Sequence, residues 1–159
     1  MGGPWRITSG QPAPDQVARL LSLLPTWFGI ESSNAEYVDT ARTAPAYLAW
    51  PAADPAAPPA GVLLARQHFP ASAEIYLMAA DPAWHRHGAG RALVTALEAD
   101  LVATGTRFLQ VKTLGPSHPD PGYVLTRRFY AAIGFEPLEE IPDLWPENPC
   151  LIMIKTLAD

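Results

Sequence analysis

Residues 74–93, EIYLMAADPAWHRHGAGRAL, constrain the fold more than any other part of this 159-residue chain. The apolar run from Glu74 to Ala80, bounded by Pro70 and Pro82, has the length and side chains of a strand. Leu93, Leu97 and Leu101 then recur every four residues, and Val94 and Ala96 widen their stripe. That spacing predicts a helix from about Gly88 to Thr104, with Gly105 as its C-cap. A short turn, His85-Arg86-His87-Gly88-Ala89-Gly90, opens the helix directly after the strand.

The flanking sequence supplies more of both element types. Val17, Leu20, Leu21 and Leu24 follow helical spacing from Asp15 until Pro25 stops the run. Ser33 and Glu36 have capping-box spacing, and Tyr37, Val38 and Ala41 give a short apolar stripe after them. Tyr47 to Trp50 and Val62 to His68 read as strands, separated by the Ala- and Pro-rich loop Pro51 to Pro59. Arg107 to Thr113 is another strand, and Leu114 to Gly122, with its prolines and glycines, is a loop. Leu125, Phe129 and Ile133 share a face of a fourth helix that Gly134 ends, and Phe135 to Glu139 and Leu151 to Lys155 are the last strands. The β-α-β-α-β alternation predicts an α/β, mixed α+β layer fold. The length predicts a single domain over residues 1–159.

Composition removes several classes. A formal net charge of −5 argues against a general nucleic-acid surface, which needs clustered Lys and Arg. No apolar run approaches the roughly 20 residues of a membrane helix. The single cysteine, Cys150, excludes an internal disulfide and a Cys-rich zinc site. It reads best as a buried structural thiol. Met1 to Gln11 has no apolar signal core, so a cytoplasmic location is expected. His85 and His87 have no third ligand at suitable spacing, so no metal is expected there.

The turn before the long helix carries chemistry. The first N–H groups of a helix have no intrahelical acceptor, and the dipole leaves partial positive charge around them. Gly88 and Gly90 lack a Cβ, so an anion can approach the backbone, and Arg86, Arg91 and the two histidines add positive charge. A diphosphate fits such a place; tight packing is the other reading of the same glycines. No Gly-Lys-Ser/Thr follows, so this is not a P-loop, and Leu93 stands where a dinucleotide fingerprint has its third glycine.

His85-x-x-Gly88-x-Gly90 after a strand resembles the acetyl-CoA-binding motif of the GCN5-related N-acetyltransferase (GNAT) superfamily, Gln/Arg-x-x-Gly-x-Gly/Ala, with a different first residue. Arg128-Phe129-Tyr130-Ala131-Ala132-Ile133-Gly134-Phe135 resembles the same family's aromatic-Tyr-x-x-x-Gly-Phe segment, and the likeness runs from about Val62 to Lys155. Tyr123 stands where many members have Asn. The resemblance implies a central, mostly antiparallel twisted sheet of six to seven strands with about four helices. It implies an enzyme, an acetyl-CoA-dependent N-acetyltransferase, that moves the acetyl group to a primary amine by direct transfer in a ternary complex. Backbone groups of Met78, Ala79 and Ala80 would hold the pantetheine arm, and the turn His85, Arg86, His87, Gly88, Ala89, Gly90 and Arg91 the diphosphate. The thioester would lie in a splay between the strands at Glu74–Ala80 and Arg107–Thr113.

Tyr130 stands where the family's phenol protonates the departing thiolate; packing beside Phe129 is its other reading. Glu74 precedes His85 by the eleven residues that separate a glutamate base from the motif in histone-acetyltransferase members; a solvated strand-end carboxylate is the alternative. By family analogy the acceptor site uses Trp27, Phe28, Glu31, Tyr37 and Trp145. The acceptor is an amine of a small molecule, peptide or protein, with no nucleic-acid or membrane partner; family members often dimerise, so a homodimer is an expectation. The rival function is a non-catalytic acyl-CoA-binding sensor or partner module on the same fold.

Overall fold

The computed structural model describes residues 3–25, 31–146 and 148–157, with the side chains of Glu31 and Ser32 outside the description. Seven strands follow the order β1-β2-β3-β4-β5-β7-β6 in one sheet. They are β1 Trp5–Gln11, β2 Ala46–Pro51, β3 Gly61–Phe69, β4 Ser72–Ala80, β5 Phe108–Leu114, β6 Glu136–Trp145 and β7 Asn148–Thr156. The helices among the described residues are α1 Pro14–Ser22, α2 Glu31–Ala41, α3 Ala89–Ala103 and α4 Pro121–Ala132, with a single 3-10 turn at Pro82–Trp84. The β4–β5 ladder is parallel; the β1–β2, β2–β3, β5–β7 and β6–β7 ladders are antiparallel. Seven strands and four helices match the expected mixed α+β architecture. Among the described residues no helix is long and apolar enough to cross a membrane.

The chain forms two compact units. The first draws on the described residues of Met1–Ala65 and Leu77–Asp100. In it, β1 pairs with β2 and β2 with β3, and α1 packs on α2. Val17, Leu20, Leu21 and Leu24 of the first helical run are all buried, as their spacing predicts. Arg19 donates to the carbonyl of Pro59, which pins the proline-rich β2–β3 loop. Leu93, Val94 and Leu97 of α3 are buried to 2% exposure or less. Gly61 admits α3 closely: a Cβ there would stand 3.1 Å from Leu93 Cδ1.

The second unit is Arg66–Tyr76 with the described residues of Leu101–Asp159. The β4–β5 register runs from Ser72↔Phe108 to Ile75↔Val111, and β5 continues against β7 from Phe108↔Thr156 to Leu114↔Cys150. Leu109, Val111, Leu151 and Met153 are buried. Gly105 (φ +87°) and Gly134 (φ +102°) take left-handed backbone where α3 and α4 end.

Several boundaries differ from the sequence reading. β1 was not foreseen. α2 begins at Glu31, ahead of the Ser33 cap, and β6 extends to Trp145. α4 begins inside the predicted loop, because Asp120 caps it by accepting from Gly122 N at 2.8 Å and Pro121 takes the first helical position, where the missing N–H costs nothing. Its buried face differs in part: Ile133 is buried as the spacing predicts, but Leu125 is 48% exposed and Tyr130 is buried instead.

Candidate active site

In the first unit, β4 ends where Asp81 N donates to Ala60 O at 2.7 Å. The Asp81 carboxylate accepts from Ala83 N and starts the 3-10 turn. The imidazole Nε2 of His85 donates back to Ala80 O at 3.0 Å. Arg86 (φ +66°) and Gly88 (φ +88°) both adopt the left-handed region, which is costly for the arginine and natural for the glycine. Gly88 O accepts the first helical bond from Ala92 N at 3.0 Å.

This path leaves a run of donors. Among the described residues the amides of Arg86, Gly88, Ala89, Gly90 and Arg91 have no hydrogen-bond acceptor. They sit at the positive end of the α3 dipole, beside the exposed side chains of Arg86, His87 and Arg91. The nearest atom to a Cβ built on Gly88 is Trp5 Nε1 at 3.7 Å. Unsatisfied N–H groups, fixed positive charge and a backbone without a side chain suit a diphosphate. Met78 and Ala80 of β4 are half-buried and Ala79 is buried, so alternate β4 residues remain accessible.

Trp5 is the residue that sequence reading missed here. Its indole donates to His87 O at 2.8 Å and meets the Trp84 ring edge-on at 5.3 Å, and Trp84 meets His87 at 5.8 Å. Nothing in the local sequence around Trp5 points to a turn more than eighty residues away.

In the second unit, Glu74 is 5% exposed, so it is not a solvated strand-end carboxylate. Its Oε1 lies 2.7 Å from His68 Nε2, and Lys112 Nζ stands 3.4 Å from each carboxylate oxygen. β4 and β5 set Glu74 beside Gln110, so Lys112, two residues on, lies on the same face. Cys150, opposite Leu114 on β7, is fully buried. Burial pushes its thiol above the ordinary range, Lys112 pulls it down and Glu74 pushes it up. Neither His68 nor Lys112 carries a local sequence signal.

Tyr130 is 5% exposed, with its ring edge-on to Phe129 at 5.2 Å and Phe135 at 5.4 Å. Burial, helped by Tyr123, holds the phenol well above its usual range, so it stays protonated. The ring is therefore part of the core, and the protonated phenol keeps an O–H able to donate a hydrogen bond.

Of the expected acceptor residues, Trp27 and Phe28 lie outside the described residues, as does the side chain of Glu31, which begins α2. Tyr37 is half-buried on α2 in the first unit. Trp145, in the second, ends β6 opposite Asn148 and lines a cavity of about 520 Å3 with Ser117, His118 and Asp143.

The model of the acetyltransferase (GNAT) family matches residues 17–135. No curated protein matches the chain. Among solved structures, the chain is 22% identical to a putative GNAT-family acetyltransferase from Desulfovibrio desulfuricans, over 96% of this chain and all of that one, with a TM-score of 0.74. An aminoglycoside 6'-N-acetyltransferase complexed with coenzyme A is 19% identical over 97% and 98% of the two chains, TM-score 0.71. A GNAT-family acetyltransferase from Elizabethkingia anophelis with acetyl-CoA bound is 14% identical over 98% and 100%, TM-score 0.70. With three quarters of its length matched by the family model, this chain belongs to the GNAT acetyltransferase family.

Proposed function

We propose that the chain is an enzyme that transfers the acetyl group of acetyl-CoA to a primary amine by direct attack in a ternary complex. The observation that carries this is that, among the described residues, the amides of Arg86, Gly88, Ala89, Gly90 and Arg91 have no acceptor, at a helix start with Gly88 at φ +88°. A CoA diphosphate supplies the acceptors these donors lack. Met78, Ala79 and Ala80 run along the pantetheine arm, and a β4 amide polarises the thioester carbonyl, whose oxygen gains charge as the amine attacks. Glu74 takes a proton from the acceptor ammonium, and Tyr130 gives one to the leaving sulfur. Trp145 belongs to the acceptor side of this reading, with Trp27, Phe28, Glu31 and Tyr37. The coenzyme A and acetyl-CoA bound by structural relatives support the donor, and family membership supports the reaction class.

The test is in two steps. CoA should raise the melting temperature, because a ligand that binds only the folded state stabilises it by mass action. Acetyl-CoA with a panel of primary amines should then release free thiol. Stabilisation with no thiol release from any amine would favour the sensor reading; no stabilisation by CoA would remove the donor site itself.

A further inference from the structure

We propose that His68 positions Glu74 and carries away the proton that Glu74 takes from the acceptor ammonium. This rests on the reading of Glu74 as the base. The side chain of Glu74 is 7% exposed and cannot hand its proton to bulk water directly. Among the described residues its carboxylate has two hydrogen-bonding neighbours, His68 at 2.7 Å and Lys112 at 3.4 Å. An ammonium has no lone pair, so Lys112 cannot accept a proton from Glu74. The imidazole can, and it is also the neighbour that reaches solvent: the His68 side chain is 37% exposed.

The steps balance. The acceptor ammonium loses a proton to the Glu74 carboxylate, leaving a neutral amine and a carboxylic acid. In the Nδ1–H form of the His68 ring the acid O–H passes its proton to the bare Nε2, which restores the carboxylate and leaves an imidazolium. The imidazolium releases the Nδ1 proton to water. The Nε2–H form that then donates to the carboxylate over 2.7 Å regains the Nδ1–H form by proton exchange with solvent before the next turnover, so the ring ends each cycle as it began. Lys112 keeps its charge throughout and holds both carboxylate oxygens, so Glu74 returns to one position after each turnover. The other ionisable groups nearby are Cys150 on β7, whose thiol burial holds protonated, and Arg66 and Tyr76, which stack on each other at 3.5 Å. None of them touches the carboxylate among the described residues.

The experiment compares the wild-type chain with His68→Gln, which retains a donor amide toward Glu74 but cannot shuttle a proton. The acceptor is whichever of n-butylamine, spermidine, a lysine peptide or an aminoglycoside the wild type acetylates fastest. kcat should fall by at least about tenfold, with KM for acetyl-CoA nearly unchanged, and added imidazole should restore the rate in proportion to its concentration. His68→Ala, rescued by imidazole in the same way, guards against an effect peculiar to glutamine. A Glu74→Gln change should move the ring resonances of His68 more than those of the other three histidines, whatever the activity. Wild-type turnover with His68→Gln equally fast, or slow but deaf to imidazole, overturns the relay and leaves the acetyltransferase reading standing. A wild type that acetylates none of these amines while binding CoA overturns that reading, and the relay with it.

Discussion

The indole Nε1 of Trp5 donates to the carbonyl of His87 over 2.8 Å, and so fastens the first strand to the turn that opens α3. The bond occupies a carbonyl in the turn where an anion would meet repulsion from it. Trp84 meets both Trp5 and His87 edge-on, at 5.3 and 5.8 Å. Trp5→Phe keeps most of the ring packing and removes the donor. A hydrogen bond of this kind is worth about 1 kcal/mol net, so the melting temperature should fall by about 2–4 °C, and the Kd for CoA should rise by up to about fivefold because the ligand must then order the turn itself. Isothermal titration checks it, and an unchanged Kd would detach Trp5 from the donor site.

Glu74 and Lys112 form a partly buried ion pair, 7% and 31% exposed. Removing Lys112 leaves a carboxylate facing His68 alone in a poorly solvated place. Lys112→Met should cost about 2 kcal/mol, less than a fully buried pair because the ammonium is partly hydrated. Glu74→Gln in the same background should recover part of that loss, since it removes the stranded charge. Urea unfolding of the two single variants and the double reads the coupling directly. Additive losses would mean that the pair is a surface contact in energetic terms.

The parts of the fold legible in the sequence are those governed by local periodicity. The Leu93–Leu97 spacing identified the buried face of α3, and Gly105 and Gly134 marked helix ends where the backbone must turn left-handed. β1 escaped because its residues, WRITSGQ, are polar and half-exposed on an edge strand, so neither alternation nor a long apolar run betrays it. α4 was legible only in part: Ile133 is buried as its spacing predicts, but Leu125, on the same spacing, is exposed while Tyr130 is buried, and only the tertiary fold makes that choice. At the site, the Gly-x-Gly turn and Tyr130 carry local patterns. The partners of Glu74 do not: Lys112 stands 38 residues away in sequence, brought there by a parallel ladder that no local rule announces.

Cys150 makes a separate point about the same face. It is fully buried and its thiol is pushed up, chiefly by burial. A thiol kept protonated and shielded is a poor nucleophile. The native protein should therefore react with Ellman's reagent far more slowly than the urea-unfolded chain, at a rate set by opening rather than by reagent concentration. A native thiol that titrates within seconds would contradict its burial and reopen a covalent route.

Tyr130 separates stability from chemistry through pH. In the folded chain its phenol is held above the ordinary value of 10.0, with burial the main cause, and Tyr47 is raised likewise by burial and by its bond to Asp100. The unfolded chain ionises these tyrosines near 10, while the folded one keeps them protonated, so the unfolded state binds fewer protons above that pH. Stability is thus fully present below about 10 and falls as pH rises further. Tyr130→Phe removes one of the two groups responsible, and the alkaline slope of unfolding free energy should become shallower by about one proton. The rings of Phe129 and Phe135 still meet a phenyl ring in that variant, so neutral-pH stability should change by less than about 1 kcal/mol. Acetyl transfer should nonetheless lose at least about tenfold in kcat, with KM for acetyl-CoA nearly constant, because only the proton for the leaving sulfur is gone. Equal kcat with a good acceptor would return Tyr130 to packing alone and assign protonation of the thiolate to water.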